Sequence, residues 1–206
     1  MTYYKILNDD MTSIYGKGKW ILGEWMPEIE GDLVACKNGY HLCRREDLVD
    51  WLGPRIFEAE YRGDRVDSDN KIVVREVRII REVTTWNERT ARLFACDCAE
   101  RALALVTDPD DRSVDAIRVA RLYADGKATD KELSVAWSEA SAAWSAAWSA
   151  AVSAAWSATS SAAVSAAWSA ASAAASVAWS AVTREAWAAA VEREWQTERL
   201  FEYLEE

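Results

Sequence analysis

The residues of this chain that could do chemistry gather in one short stretch, Cys36-Lys37-Asn38-Gly39-Tyr40-His41-Leu42-Cys43, which contains the only histidine and two of the 4 cysteines. An imidazole beside a thiol is the makings of a nucleophile with its base, and thiolates with an imidazole can hold zinc. Neither set is complete. No third group is in evidence to orient His41, and no oxyanion donors accompany Cys36 or Cys43. The six-residue gap between the two cysteines is also longer than the spacing of a zinc knuckle. Cys96 and Cys98 fall in a stretch of helical period, where residues two apart point about 200° apart and cannot face one ion. We therefore read all four cysteines as reduced thiols, with no catalytic residue, no metal and no cofactor implied. Gly16-Lys17-Gly18-Lys19 lacks the spacing of a phosphate loop. What survives as a ligand-binding pair is Tyr40 and His41, whose rings would line a small pocket.

The elements that must position this pair are short strands. Seven of the 8 glycines punctuate the region before residue 84, as expected for strands broken by turns. In Arg55-Ile56-Phe57-Glu58-Ala59-Glu60-Tyr61, Phe57, Ala59 and Tyr61 alternate with the glutamates, the mark of a strand with one buried face. Lys71 to Val83 repeats the pattern with Val73, Val77, Ile79 and Val83 on one parity. Between them, Arg44 to Leu52 reads as a short amphipathic helix ended by Gly53 and Pro54.

From Thr85 the period changes to that of helices. Phe94, Cys98, Ala102 and Leu105 form one stripe, broken at Asp108-Pro109, and Val114, Ile117, Ala120 and Tyr123 form a second, closed by Gly126. Thr129-Asp130-Lys131-Glu132 has the spacing of a capping box, which starts a third helix. Ala140 to Thr183 then contains no charged residue and is almost all Ala, Ser, Trp and Val. Alanine favours helix and tryptophan burial supplies packing energy, so low complexity here implies order. A straight helix from Asp130 to the end would be on the order of 115 Å long. Turns are therefore expected near Thr159-Ser160-Ser161 and near Thr183, with Trp187, Val191, Trp195 and Leu200 facing inward on a last amphipathic helix. The fold class is α+β: a small α+β domain over 1–84, then an Ala/Ser/Trp-rich antiparallel helical bundle over 85–206 whose tryptophans form a core.

A net charge of −10, from 24 basic and 34 acidic residues, and the lack of a basic cluster exclude sequence-independent nucleic-acid binding. Serine recurring about every fourth position in the uncharged run argues against membrane insertion. Met1 to Trp20 mixes Lys5, Asp9, Asp10 and Lys17 into its apolar residues, unlike a signal peptide, so a cytoplasmic protein is expected.

Two stretches carry resemblances. Tyr4 to Val83, with its Gly39-Tyr40-His41-Leu42-Cys43, resembles an uncharacterised phage or prophage domain of unknown function that carries a Gly-aromatic-His-x-Cys motif. The remainder, with Leu93-Phe94-Ala95-Cys96-Asp97-Cys98-Ala99-Glu100-Arg101, Pro109-Asp110-Asp111, the Ala/Trp array and Trp195-Gln196-Thr197-Glu198-Arg199-Leu200, is similar to Ala-rich helical proteins labelled immunity proteins. More faintly, the order of strand, Gly-Tyr-His, helix and alternating strand is similar to the entrance of ADP-ribosyltransferase-like domains. The resemblances imply a non-enzymatic protein that sequesters or inhibits a host or toxin component. Two alternatives stand beside it: a nucleotide-handling enzyme or small-molecule sponge using Tyr40 and His41, and a structural protein that forms a homo-oligomer through the helical array.

Overall fold

The computed structural model describes residues 2–16, 18–105, 107–151 and 186–205, with the backbone path alone at 142–151 and 186–190. It is an α+β protein. In chain order come β1 (Tyr3–Leu7), β2 (Tyr40–Leu42), a 3-10 turn (Leu48–Trp51), β3 (Arg55–Ser68), β4 (Lys71–Glu82), α1 (Glu88–Leu103), α2 (Asp111–Ala124), α3 (Asp130–Ala151) and α4 (Ala186–Glu205). Two compact units result: Met1–Asn87 together with Glu192–Glu206, and Glu88–Val191. The tail, expected with the helical region, thus contributes its last residues to the strand unit.

In the strand unit the order is β1-β3-β4-β2, all antiparallel. Beyond the end of β2, Tyr4 and Cys43 exchange backbone hydrogen bonds of 2.9 Å in both directions, so the two outer strands meet and the sheet closes into a ring of pairings. The other exposed stretch of backbone, along β4, is covered by residues 23–29: Gly23, Met26 and Ile29 donate their N–H groups to the carbonyls of Ile79, Val77 and Arg75. This part of the β4 edge is thereby paired. Leu7, Leu42, Phe57, Ala59, Ile72, Val74, Val77 and Ile79 fill one face beneath Trp20. Ile6, Ile56 and Val73, on the opposite parity, are fully or almost fully buried as well. Burial on both faces explains why Ile56-Phe57 and Ile72-Val73-Val74 break the expected alternation.

Two expectations for this unit need correction. The helix over 44–52 is a single 3-10 turn. Its residues are committed elsewhere: Asp47 accepts hydrogen bonds from the backbone and guanidinium of Arg44, and Trp51 Nε1 donates to the Asn70 carbonyl at 2.8 Å. Four residues held this way gain nothing by propagating a helix whose nucleus is costly. Gly63, read as a break between strands, lies inside β3 at φ +77, where the pairing shifts register between Arg62 and Arg65.

In the helical unit, α1 and α2 meet through Cys96, Ala99, Ala102 and Ile117. The expected stripe holds at Phe94 and Ala102, which are buried, and is displaced elsewhere: Cys96 rather than Cys98 faces the core, and Leu105, beyond the end of α1, is exposed. Val114 is exposed, whereas Val119 is buried. The displacement brings Asp97 inside, where Arg121 reaches it at 2.5 Å while also pairing with Glu100 at 2.6 Å, as a buried carboxylate requires. Helix ends follow the sequence closely. Asp110 Oδ1 caps α2 by accepting from Arg112 N–H at 2.9 Å. Gly126, at φ +69, closes α2 with bonds from Gly126 N–H to Tyr123 O and from Lys127 N–H to Leu122 O, a Schellman pair. The capping box forms in both directions, Thr129 N–H to Glu132 Oε2 at 2.7 Å and Glu132 N–H to Thr129 Oγ1 at 3.2 Å.

Helix α3 runs unbroken to Ala151. The turns expected near Thr159-Ser160-Ser161 and Thr183 lie outside the described residues, as do the side chains of Trp144, Trp148, Trp156, Trp168, Trp179 and Trp187; Trp137, expected in the same core, is 49% exposed. In α4, Leu200 is fully buried but Val191, expected inside, is exposed. No helix among the described residues is long and apolar enough to cross a membrane.

Candidate functional site

Strand β2 presents Tyr40 and His41 to opposite faces of the sheet, as alternation demands. Tyr40 pairs with Val74 and shares the Trp20 face with Leu42, while His41 pairs with Val73 on the other. The two rings therefore do not line one pocket. Gly39 makes their strand possible: it sits at φ +131, and a Cβ there would lie 2.3 Å from Val73 Cγ1.

Each polar end is already engaged. Tyr40 Oη donates to the Pro27 carbonyl at 2.8 Å, and its ring meets Trp20 edge-on at 5.7 Å. Burial raises the Tyr40 phenol pKa. His41 Nε2 accepts the Cys36 N–H at 3.0 Å, so that nitrogen carries no proton and the lone pair a base would use is spent on a turn. Burial first, then the ammonium groups of Lys5 and Lys71, lower the His41 pKa to about 4. At neutral pH the imidazole is uncharged.

Lys5 and Lys71, which sequence reasoning did not single out, complete the cluster. Lys5 stands on the core parity of β1 between Tyr3 and Leu7; its ammonium donates to the His41 carbonyl at 3.2 Å and lies 4.9 Å over the Trp20 ring. The residue keeps some accessible surface, yet burial of the ammonium brings its pKa down to about 8, with Cys43 pulling the other way. The signal that could have found it is a lysine at the apolar parity of a strand. Lys71 Nζ lies 3.2 Å from Cys36 Sγ and 4.5 Å over the Trp51 ring. Cys36 is exposed in a left-handed turn at φ +63.

All four cysteines are free. Burial pushes the Cys43 thiol up to about 12 and the Cys96 thiol up to about 11, which keeps both protonated and inert. Cys43 shares the Tyr4 face of the sheet through its bridge to that residue. Among the described residues no three His, Cys, Asp or Glu side chains are grouped to hold a metal ion. The arrangement is thus a set of structural ties around a neutral imidazole, with one accessible thiol beside an ammonium group.

Two concavities lie elsewhere. One, in the helical unit, is an apolar groove of about 640 Å³ between α1 and α2 that includes Leu103, Val114, Ile117 and Leu122. The other, in the strand unit, is a more polar cleft of about 550 Å³ where Tyr4 and the end of β4 face the last turn of α4.

Residues 1–90 match a family described as a domain of unknown function (DUF7666); the match takes in all four strands. No curated protein and no solved structure matches the chain.

Proposed function

We propose that this protein acts by binding a partner rather than by catalysis, as a phage or prophage protein of the cytoplasm that sequesters or inhibits a host defence or toxin component. The observation that supports the reading is the commitment of the sequence-predicted pair: Tyr40 Oη is bonded to Pro27 and His41 Nε2 to the Cys36 backbone. A base whose lone pair holds a turn, on the opposite face from its neighbouring phenol, is not free to accept a proton from a substrate. The resemblance of the helical region to immunity-type proteins directs the reading to a protein partner, and the net charge of −10 suits a basic one.

The test places two assays side by side. Full-length protein bearing an affinity tag is used to capture partners from lysate, each captured protein is then made pure, and its affinity for wild-type and His41→Ala protein is measured. Direct binding by a purified partner that survives His41→Ala supports the reading. A melting shift of several degrees with NAD or another nucleotide, lost in His41→Ala, overturns it in favour of the nucleotide-handling alternative. A large homo-oligomer with neither response overturns it in favour of self-assembly.

A further inference from the structure

The sheet face that carries His41 also carries Lys71, because His41 pairs with Val73 and Lys71 stands two residues before Val73 on β4. His41 Nε2 accepts the Cys36 N–H at 3.0 Å, which hooks the 34–38 turn over that face. The turn itself is closed by Val34 N–H to Asn38 O at 2.8 Å and Asn38 N–H to Val34 O at 2.9 Å. Cys36 Sγ thereby arrives 3.2 Å from Lys71 Nζ. The amine is steadied in its turn, since Nζ lies 4.5 Å over the Trp51 ring and Trp51 Nε1 is tied to the Asn70 carbonyl at 2.8 Å.

A thiol and an amine are thus held at reacting distance from two sides, and the fold has no use for the thiol. Cys36 gives its N–H to the turn while its side chain is exposed, and at φ +63 a glycine or asparagine would serve the backbone better. Of the four thiols it is the one open to a small oxidant in solvent: Cys43 and Cys96 are buried and Cys98 is half-buried.

We propose that Cys36 and Lys71 form a peroxide-responsive switch, in which oxidation of the thiol joins Sγ to Nζ as a sulfenamide. Hydrogen peroxide, the co-reactant, takes two electrons from the sulfur: its O–O bond breaks, one oxygen leaves as water and the other stays on Cys36 as the sulfenic acid. The Lys71 nitrogen, after releasing a proton, attacks that sulfur. The S–N bond forms, the S–O bond breaks, and the departing hydroxide leaves as water with a second proton from nitrogen. One thiol, one ammonium and one peroxide therefore give the sulfenamide, two waters and a proton, with no electrons exchanged in the condensation. Proximity favours it, because a separation of 3.2 Å is that of a near-attack pair. The link adds a covalent tie between the 34–38 turn and β4 and removes one positive charge from that surface. It is independent of the partner-binding reading.

The experiment exposes full-length protein to hydrogen peroxide, blocks the remaining thiols with N-ethylmaleimide under denaturing conditions, and maps the digest by mass. Peptides containing Cys36 and Lys71 should appear joined, two hydrogens lighter than their sum, and should separate on treatment with dithiothreitol. The joined species should be absent from Cys36→Ser and from Lys71→Arg, and in Lys71→Arg the stranded sulfenic acid should be captured by dimedone. Oxidation in urea should lower the yield roughly tenfold or more, since the fold supplies the proximity. Three results would overturn the proposal: Cys36 recovered as sulfinic acid or as a disulfide with Cys43 while Lys71 stays free; a link that falls on Lys37 instead of Lys71; or an equal yield in urea.

Discussion

Lys5 and His41 show how single titratable groups can be structural here, and each carries a pH signature with a definite sign. His41 has a folded pKa of about 4 against an ordinary 6.5, so between those values the unfolded chain binds the extra proton. Its contribution to stability is complete above pH 6.5 and is lost as the pH falls towards 4. For a half-buried ring the loss should be on the order of 1–2 kcal/mol after discounting for solvent screening. Urea midpoints of the wild type should fall across that window, and their advantage over His41→Gln should shrink with them; a constant difference would show that the Cys36 bond does not depend on a neutral ring. Lys5 runs in the alkaline direction. Its pKa of about 8 lies below the ordinary 10.5, which makes the charged form a burden to the fold below pH 8 and no burden near 10.5. Lys5→Met should therefore stabilise the protein at pH 7 by on the order of 1–2 kcal/mol, after the lost bond to the His41 carbonyl is subtracted. That gain should vanish as the pH approaches 10.5. Denaturation of both proteins at pH 7 and pH 10 decides it.

At the scale of elements, what could be read from the sequence was local chemistry, and what could not was commitment between segments. The Thr129–Glu132 capping box and the Gly126 helix end depend on residues three to five apart, and both form as their types imply. The strands at Phe57 and Val77 were equally legible, because period 2 survives where one face differs from the other. Arg44 to Leu52 failed for a non-local reason: Arg44 also reaches the carbonyls of Ser68 and Asp69, and Trp51 that of Asn70, so a hairpin turn far along the chain decides its shape. The site followed the same rule. Tyr40 and His41 were visible as chemical types, but Pro27 and Cys36, which occupy them, are brought there by turns. Gly39 tests how tightly β2 is set. With φ +131 and Val73 Cγ1 at 2.3 Å from any added Cβ, Gly39→Ala should cost roughly 3 kcal/mol or more, combining backbone strain and overpacking. Thr129→Ala, which removes only the cap, should cost about 1 kcal/mol. Equal costs in chemical denaturation would contradict a tight β2–β4 approach.

For the whole molecule, the grouping of residues 192–206 with the strands makes the two ends of the chain one folding unit. Tyr4 near the start meets Phe201 near the end, Arg45 lies 3.6 Å over the Phe201 ring, Arg45 pairs with Glu205, and Arg193 pairs with Asp50 at 2.7 Å. The exposed ion pairs add little by themselves. The weight rests on buried apolar side chains, since Phe201 is 2% exposed and its neighbour Leu200 not at all. Phe201→Ala should thus cost about 3–5 kcal/mol, from lost burial and the cavity left behind. The loss should be felt by the strands themselves: amide exchange at Val73 and Val77, in the middle of β4, should accelerate in proportion to that free energy if the unit opens cooperatively. Were α4 a helix merely appended to a self-sufficient sheet, exchange at Val73 and Val77 would stay at the wild-type rate while only the amides of α4 sped up, and the unit would then end at Asn87 instead of closing through the tail.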